Sequence, residues 1–162
     1  MDFDSFYSEN FDRIHRAMTL RFRDPSFAEE ITQEAFYRAL KRWPKVAKLD
    51  HPEAWTMIVA LNRGRDLARR KSRQVVKTAL RVEASEGDLE GSLVEDRIFI
   101  SDLLAGMSER QRQALLLRYI IQLTISEIAV AMGCAEGTVK STLHAALENA
   151  ANLAKGTIHV SD

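Results

Sequence analysis

Apolar side chains recur at every third or fourth position from Phe3 to Phe22, through Phe6, Tyr7, Phe11, Ile14 and Met18. That spacing predicts an amphipathic helix with an aromatic-rich buried face. Asp24-Pro25-Ser26 interrupts it. Ser26 then offers an N-cap, with Glu29 at the capping-box distance. The helix that follows, Phe27 to about Trp43, turns Ile31, Ala35, Phe36, Ala39, Leu40 and Trp43 inward and leaves Glu30, Gln33, Glu34, Tyr37 and Lys41 outside. Taken alone, that outer face reads as a solvated surface. Trp43-Pro44 closes the helix, because a residue before proline avoids helical angles. Lys45 to His51 reads as a short basic loop containing Lys48.

A third long helix begins near Pro52, which suits a first turn. It carries Trp55, Ile58, Val59, Leu61 and Leu67 and runs to about Gln74. We assign Trp55 and Ile58, with Phe36 of the preceding helix, to the core, where aromatic and aliphatic groups on an apolar face usually lie. From Asn62 onward this helix turns basic, with Arg63, Arg65, Arg69, Arg70, Lys71 and Arg73 against the single acid Asp66. Asn62 and Asp66 stand one turn apart, within reach of a shared hydrogen bond.

The periodicity then fails. Residues 84–92, ASEGDLEGS, have the glycine, serine and acid content of a linker. Beyond it, a helix from Ile98 to Leu104 ends at Gly106. Ser108 and Gln111 form a second capping box, opening a helix with Ala114, Leu115, Leu117 and Ile121.

Thr124 to Leu147 is the most structured stretch. Thr124 and Glu127 stand at capping-box spacing, and Ile125, Ile128, Ala129 and Met132 share one face. Gly133 supplies the residue free to adopt positive φ at a helix end. A second helix restarts near Glu136, with Val139, Leu143, Ala146 and Leu147 inward and Glu136, Thr138, Lys140, Ser141 and His144 outward. Two helices about a short glycine turn describe a helix-turn-helix. Its second helix offers N-terminal side chains to the DNA major groove. A plain helical hairpin gives the same pattern. Lys155 to Asp162 reads as a frayed tail.

The fold class is therefore all-α: two small helical domains joined by a flexible acidic linker, the second with a helix-turn-helix. We place the first domain at 1–74, the linker at 75–97, the second domain at 98–155 and a tail at 156–162.

Charge sharpens this division. The formal net charge is zero over 162 residues. Yet residues 1–74 hold 15 Lys+Arg against 11 Asp+Glu, and residues 98–155 hold 5 of each. Contacts driven by phosphate attraction should thus concentrate in the first half. The single cysteine, Cys134, excludes an internal disulfide and reads as a small buried group. No apolar run reaches the length of a membrane span, and the acidic N-terminus has no signal-peptide blocks, so no membrane insertion and a cytoplasmic location are expected. No CxxC or HExxH is present, and no glycine-rich phosphate loop follows a strand. Nothing nominates a catalytic group, and no metal or cofactor is expected.

Read together, four segments carry a resemblance. AEEITQEAFYRALKRW, HPEAWTMIVALNRGRDLARRKSR, MSERQRQALLLRY and LTISEIAVAMGCAEGTVKSTL resemble, in order and spacing, the extracytoplasmic-function sigma factors of bacterial RNA polymerase. The resemblance spans about Phe3 to Leu153. It rests on the AEE-x-x-QE-x-F helix, the helix with Trp55, Asn62, Asp66 and Arg69-Arg70, and the terminal EIA…GTVKS unit.

The resemblance implies a non-enzymatic subunit that binds core polymerase and directs promoter recognition, melting and initiation. It implies that Glu30, Gln33, Glu34, Tyr37 and Lys41 dock on the clamp helices of the largest subunit. Lys45, Lys48 and His51 would lie in the loop that captures a flipped minus-ten base. Asn62, Arg63, Arg65, Asp66, Arg69, Arg70 and Arg73 would hold the opened strand. In the second domain, Thr138, Lys140, Ser141 and His144 would face the minus-thirty-five element, Arg110 and Arg112 would reach its backbone, and apolar positions would rest on the polymerase flap. An anti-sigma protein is an implied further partner.

The chain departs from the family where arginines usually follow GTVKS. It reads Thr142, Leu143, His144, Ala145, Ala146, Leu147, with no basic side chain before Lys155. Ala135 stands where Ser or Pro commonly caps the recognition helix. Two other readings fit parts of this pattern: a sigma-like decoy for an anti-sigma protein, and a stand-alone helix-turn-helix regulator.

Overall fold

A computed structural model describes residues 1–75 and 91–160, the side chains of 73–75, 91–93 and 157–160 excepted. The described residues form two compact units, Met1–Gly91 and Ser92–Asp162. Most of the stretch read as a linker lies outside them.

The first unit holds four helices: α1 Phe3–Phe22, α2 Pro25–Lys41, α3 Trp43–Val46 and α4 Pro52–Val75. The Asp2 carboxylate starts α1 by accepting from the Ser5 amide at 2.8 Å. That bond holds the Asp2 carboxyl below the usual range. Phe6, Asn10, Ile14, Ala17 and Met18 form the buried face of α1.

The start of α2 corrects the sequence reading. Asp24, not Ser26, is the cap, and its carboxylate accepts from Phe27 N at 3.1 Å. Pro25 has no N–H to satisfy and a preset φ, so it takes the first helical position and draws the cap back to Asp24. The helix also ends earlier than expected. Arg42 (φ −114°, ψ 18°) breaks it, and Trp43-Pro44 open the single turn α3. The first part of the expected Lys45–His51 loop is therefore helical.

α2 packs against α1 and α4, and α1 against α4. The aromatic side of this core joins Phe6, Phe36 and Trp43, with ring centroids 5.5 and 5.0 Å from Phe6, and Phe3 meets Trp43 edge-on. Ala28, Ile31, Thr32, Ala35 and Ala39 centre the buried stripe of α2. Leu40 lies about 100° round from Ala39, so it emerges 48% exposed rather than buried. Tyr7 also reaches the surface. α4 approaches its neighbours closely at Gly64. A Cβ there would overlap the Phe22 ring and stand 2.8 Å from Ile31 Cδ1.

The second unit holds α5 Gly91–Ala105, α6 Glu109–Tyr119, α7 Ile125–Met132 and α8 Glu136–Val160. α5 starts well before the expected Ile98 and leaves Val94, Ile98, Phe99 and Ile100 exposed. The two capping boxes predicted in this unit close, Ser108 with Gln111 and Thr124 with Glu127. Gly133 ends α7 at φ 67°. Leu104, Met107, Leu116, Leu117, Ile128, Val139, Leu143 and Ala146 fill the core among α6, α7 and α8. Leu147 is exposed and Cys134 half-buried, against the inward positions expected for both. α8 also continues through the expected tail to Val160. Ala150, Ala151 and Ala154 favour that continuation, and no proline stops it.

Candidate nucleic-acid interface

On α2, Glu30, Gln33, Tyr37 and Lys41 are exposed as the pattern predicts. Lys41 Nζ lies 4.8 Å over the Tyr37 ring, which gives that edge a fixed cation. Exposed Leu40 adds an apolar element to a face that the sequence reads as wholly polar.

Glu34 is placed differently. One carboxylate oxygen accepts from Arg38 at 2.9 Å and the other from Arg63 Nε at 2.9 Å. Its side chain is 28% exposed and that of Arg63 25%. Glu34 therefore bridges α2 to α4 rather than standing open for a partner. Arg63 correspondingly begins the basic stretch already engaged.

Farther along α4, Arg65 Nε lies 3.7 Å from Asp66. Asn62 is half-buried, and Arg69 and Arg70 are exposed. Lys71 Nζ sits 4.3 Å over the Phe27 ring. The side chain of Arg73 lies outside the described residues. Lys45 and Lys48 are exposed, and His51 Nδ1 meets Glu53 at 3.2 Å.

A cleft of about 200 Å³ opens beside this helix, lined by Arg38, Lys41 and Arg42 from the α2 end and by Trp55 and Val59 from α4. Trp55 is half-buried in that wall, not sealed in the core, and Ile58 is half-buried too, whereas Phe36 is 1% exposed as expected. The sequence reading passes over Arg38, Arg42 and Trp55 as site residues. The available signal is their helical spacing, which puts Arg38 one turn from Lys41 and Arg42, and Trp55 one turn from Val59.

In the second unit, Lys140, Ser141 and His144 project from the first turns of α8, and Thr138 is half-buried. The Ser141 hydroxyl donates to Thr138 O at 3.0 Å, and His144 Nε2 lies 3.4 Å from Glu148. Arg110 is exposed. Arg112 is a correction. Its guanidinium donates to Leu104 O at 3.1 Å and to Glu109 at 3.3 Å, with the side chain 11% exposed. It staples the end of α5 to α6. Arg118 holds the following turn similarly, donating to Leu123 O at 2.7 Å.

Two family models cover most of this architecture. The model described as Sigma-70 region 2 matches residues 6–90, and that described as Sigma-70, region 4 matches residues 100–149. The chain belongs to the extracytoplasmic-function sigma factors. It is 30% identical to the RNA polymerase sigma-E factor of Streptomyces avermitilis over 147 residues, covering 91% of this chain and 82% of that one. It is 27% identical to the ECF RNA polymerase sigma factor SigK of Mycobacterium ulcerans over 161 residues, covering 93% and 84%. The solved sigma factor RpoE of Bartonella quintana, crystallised with the anti-sigma factor NepR, shares the fold. It has a TM-score of 0.71 at 21% identity, over 95% of this chain and 97% of that one.

As an extracytoplasmic-function sigma factor, the protein binds RNA polymerase and promoter DNA and directs promoter recognition and transcription initiation. The family is not enzymatic. Among the described residues no helix is long and apolar enough to cross a membrane, and no His, Cys, Asp and Glu group could hold a metal ion.

Proposed function

We propose that the two units divide the work of initiation in the cytoplasm. Glu30, Gln33, Tyr37 and Lys41 on α2 dock on the polymerase clamp helices, with Leu40 as an apolar contact inside that polar ring. Lys45, Lys48 and His51 sit beside the flipped minus-ten base, and Asn62, Arg65, Asp66, Arg69 and Arg70 line the path of the opened strand. Melting costs base stacking, which capture of the extruded strand offsets. Thr138, Lys140, Ser141 and His144 meet the minus-thirty-five element, with Arg110 on its backbone and apolar positions of this unit against the polymerase flap. The observation that carries this reading is the exposure of Arg69 and Arg70 on a helix tied by Arg63–Glu34 to the α2 face.

The test is reconstitution with core polymerase on a genomic promoter library, followed by sequencing of the transcripts. A defined start site lost in an Arg69→Glu, Arg70→Glu variant supports the assignment. Unchanged transcription by that variant refutes it.

The arginine-poor start of α8 and the engagement of Arg112 by Glu109 and Leu104 leave the second unit few free cations for phosphate. Tethering to polymerase compensates, because it raises the local concentration of a weak contact. The same scarcity favours a second reading, a decoy that captures an anti-sigma protein, and such a protein is the partner we expect to regulate the chain. A decoy does not need Arg69 and Arg70, so the same variant separates the two readings.

A further inference from the structure

The helices of the second unit differ in how they begin. α6 and α7 open on capping boxes, where Gln111 Oε1 accepts from Ser108 N at 3.1 Å and the Glu127 carboxylate from Thr124 N at 2.8 Å. The acceptor in each first turn is thereby used up. α8 begins after Ala135, which has no polar side chain to cap with. The Ala135 carbonyl accepts from Thr138 N at 3.0 Å and Val139 N at 3.1 Å. Glu136 stands first in α8, exposed, and its carboxylate makes no hydrogen bond or ion pair among the described residues. Its neighbours Ala135 and Gly137 are small and exposed, and the space beside Gly137 is open. Nothing on the protein side screens this carboxylate from a surface laid against the start of α8.

Glu136, Lys140, His144 and Glu148 follow at intervals of four and are all exposed. His144 meets Glu148 at 3.4 Å, whereas Lys140 makes no ion pair among the described residues. The end of the ridge nearest the helix start thus presents one unpaired anion and one unpaired cation, about 6 Å apart along the axis. An acid in a first turn favours any helix. On a recognition helix the same position reaches base edges. Cytosine shows a carboxylate its N4 amino donor, whereas guanine shows O6 and N7 and thymine shows O4, all acceptors. We infer that Glu136 is a specificity-determining residue that selects cytosine, on one strand, at one position of the minus-thirty-five element. Selection works largely by rejection, because guanine or thymine leaves a desolvated charge facing acceptors. Lys140, one turn on, tempers the repulsion between this carboxylate and the phosphates.

Glu136 can read a base only if α8 enters the major groove as proposed above, and the experiment separates the two. Holoenzyme made with the full chain is mixed with a pool of the promoter mapped by transcript sequencing. The pool is randomised across the minus-thirty-five element, and the bound DNA is sequenced. The wild-type chain should favour cytosine at one position by about 5-fold or more, the lower end of the range for a well-made base contact. Glu136→Ala should flatten that preference and leave the other positions as they were, and this is the deciding result. Glu136→Gln should turn the same position toward adenine, whose N6 and N7 match an amide. Each preference is a ratio within one variant, so a loss of helix stability cancels. Lys140→Ala should weaken binding, as either a base or a phosphate contact requires.

Unchanged preferences in both Glu136 variants, with Lys140→Ala still harmful, overturn the role of Glu136 alone. Unchanged preferences with a uniform gain for every sequence in Glu136→Ala make the carboxylate a source of phosphate repulsion and overturn that role as well. So does a changed preference whose wild-type base is not cytosine. Indifference of the bound pool to Lys140→Ala and to both Glu136 variants overturns the placement of α8 and the inference together.

Discussion

Replacing Gly64 by alanine tests the packing that holds the basic helix in place. A methyl at this position would overlap the Phe22 ring and stand 2.8 Å from Ile31 Cδ1. Phe22 cannot swing away without loss, because it packs edge-on against Phe27 at 5.4 Å and carries Arg21 over its face at 4.7 Å. Overpacking of this kind costs about 1–3 kcal/mol. Alanine recovers about 0.5–1 kcal/mol of helix propensity relative to glycine. The net expectation is a loss of about 1–2 kcal/mol. At about 4–8 °C per kcal/mol for a small domain, the thermal transition of the first unit should fall by roughly 5–15 °C. Circular dichroism melts and urea titration of the full chain measure this. Phe22→Leu combined with Gly64→Ala should lose less than the two separate losses summed, because the shorter side chain vacates the contested space. An alanine variant as stable as the parent, or strict additivity with Phe22→Leu, would refute the reasoning. Arg63 and Arg65 flank Gly64, so displacement of α4 should also reduce strand binding by holoenzyme.

Three further outcomes follow from single residues. Arg23 and Gln122 hold left-handed backbone at φ 61° and 67°, so Arg23→Gly and Gln122→Gly should each raise stability by about 1 kcal/mol in urea titration, whereas unchanged midpoints count against backbone strain at these sites. Thr124→Ala removes the cap bond to Glu127 N and should destabilise the second unit by about 1 kcal/mol, read from its melting transition. Arg112→Ala should lower stability while leaving the salt dependence of promoter binding unchanged; a shallower salt slope would instead make Arg112 a phosphate contact.

Local chemistry explains what was legible beforehand. The capping boxes at Ser108 and Thr124 and the glycine turn at Gly133 each depend on residues within four positions of one another, so spacing alone reveals them. Asp24 was hidden by a competing local pattern, Ser26 with Glu29, which Pro25 overrules. The Glu34–Arg63 bridge joins residues far apart in the chain. No periodicity encodes such a pairing, and so both side chains read as open surface. The bonds of Arg112 are hidden for a related reason. Its exposure depends on where the end of α5 lands, and the pattern of α6 carries no record of that. Leu40 and Leu147 lie at the margins of their apolar stripes, where a shift of one position decides between core and solvent. The surface positions of Lys140, Ser141 and His144 were readable because the inward residues Val139, Leu143 and Ala146 of the same helix fix them.

The bare apolar turn of α5 has a practical consequence for anyone handling the purified chain. Val94, Ile98, Phe99 and Ile100 are all open to water in the described structure, and excluded salts such as sulfate strengthen adhesion between surfaces of this kind. Contacts to phosphate weaken as ionic strength rises. A single variable, the salt in the buffer, therefore drives the free protein toward clumping while it loosens the grip on promoter DNA, and a sedimentation series in sulfate would separate the first effect from the second.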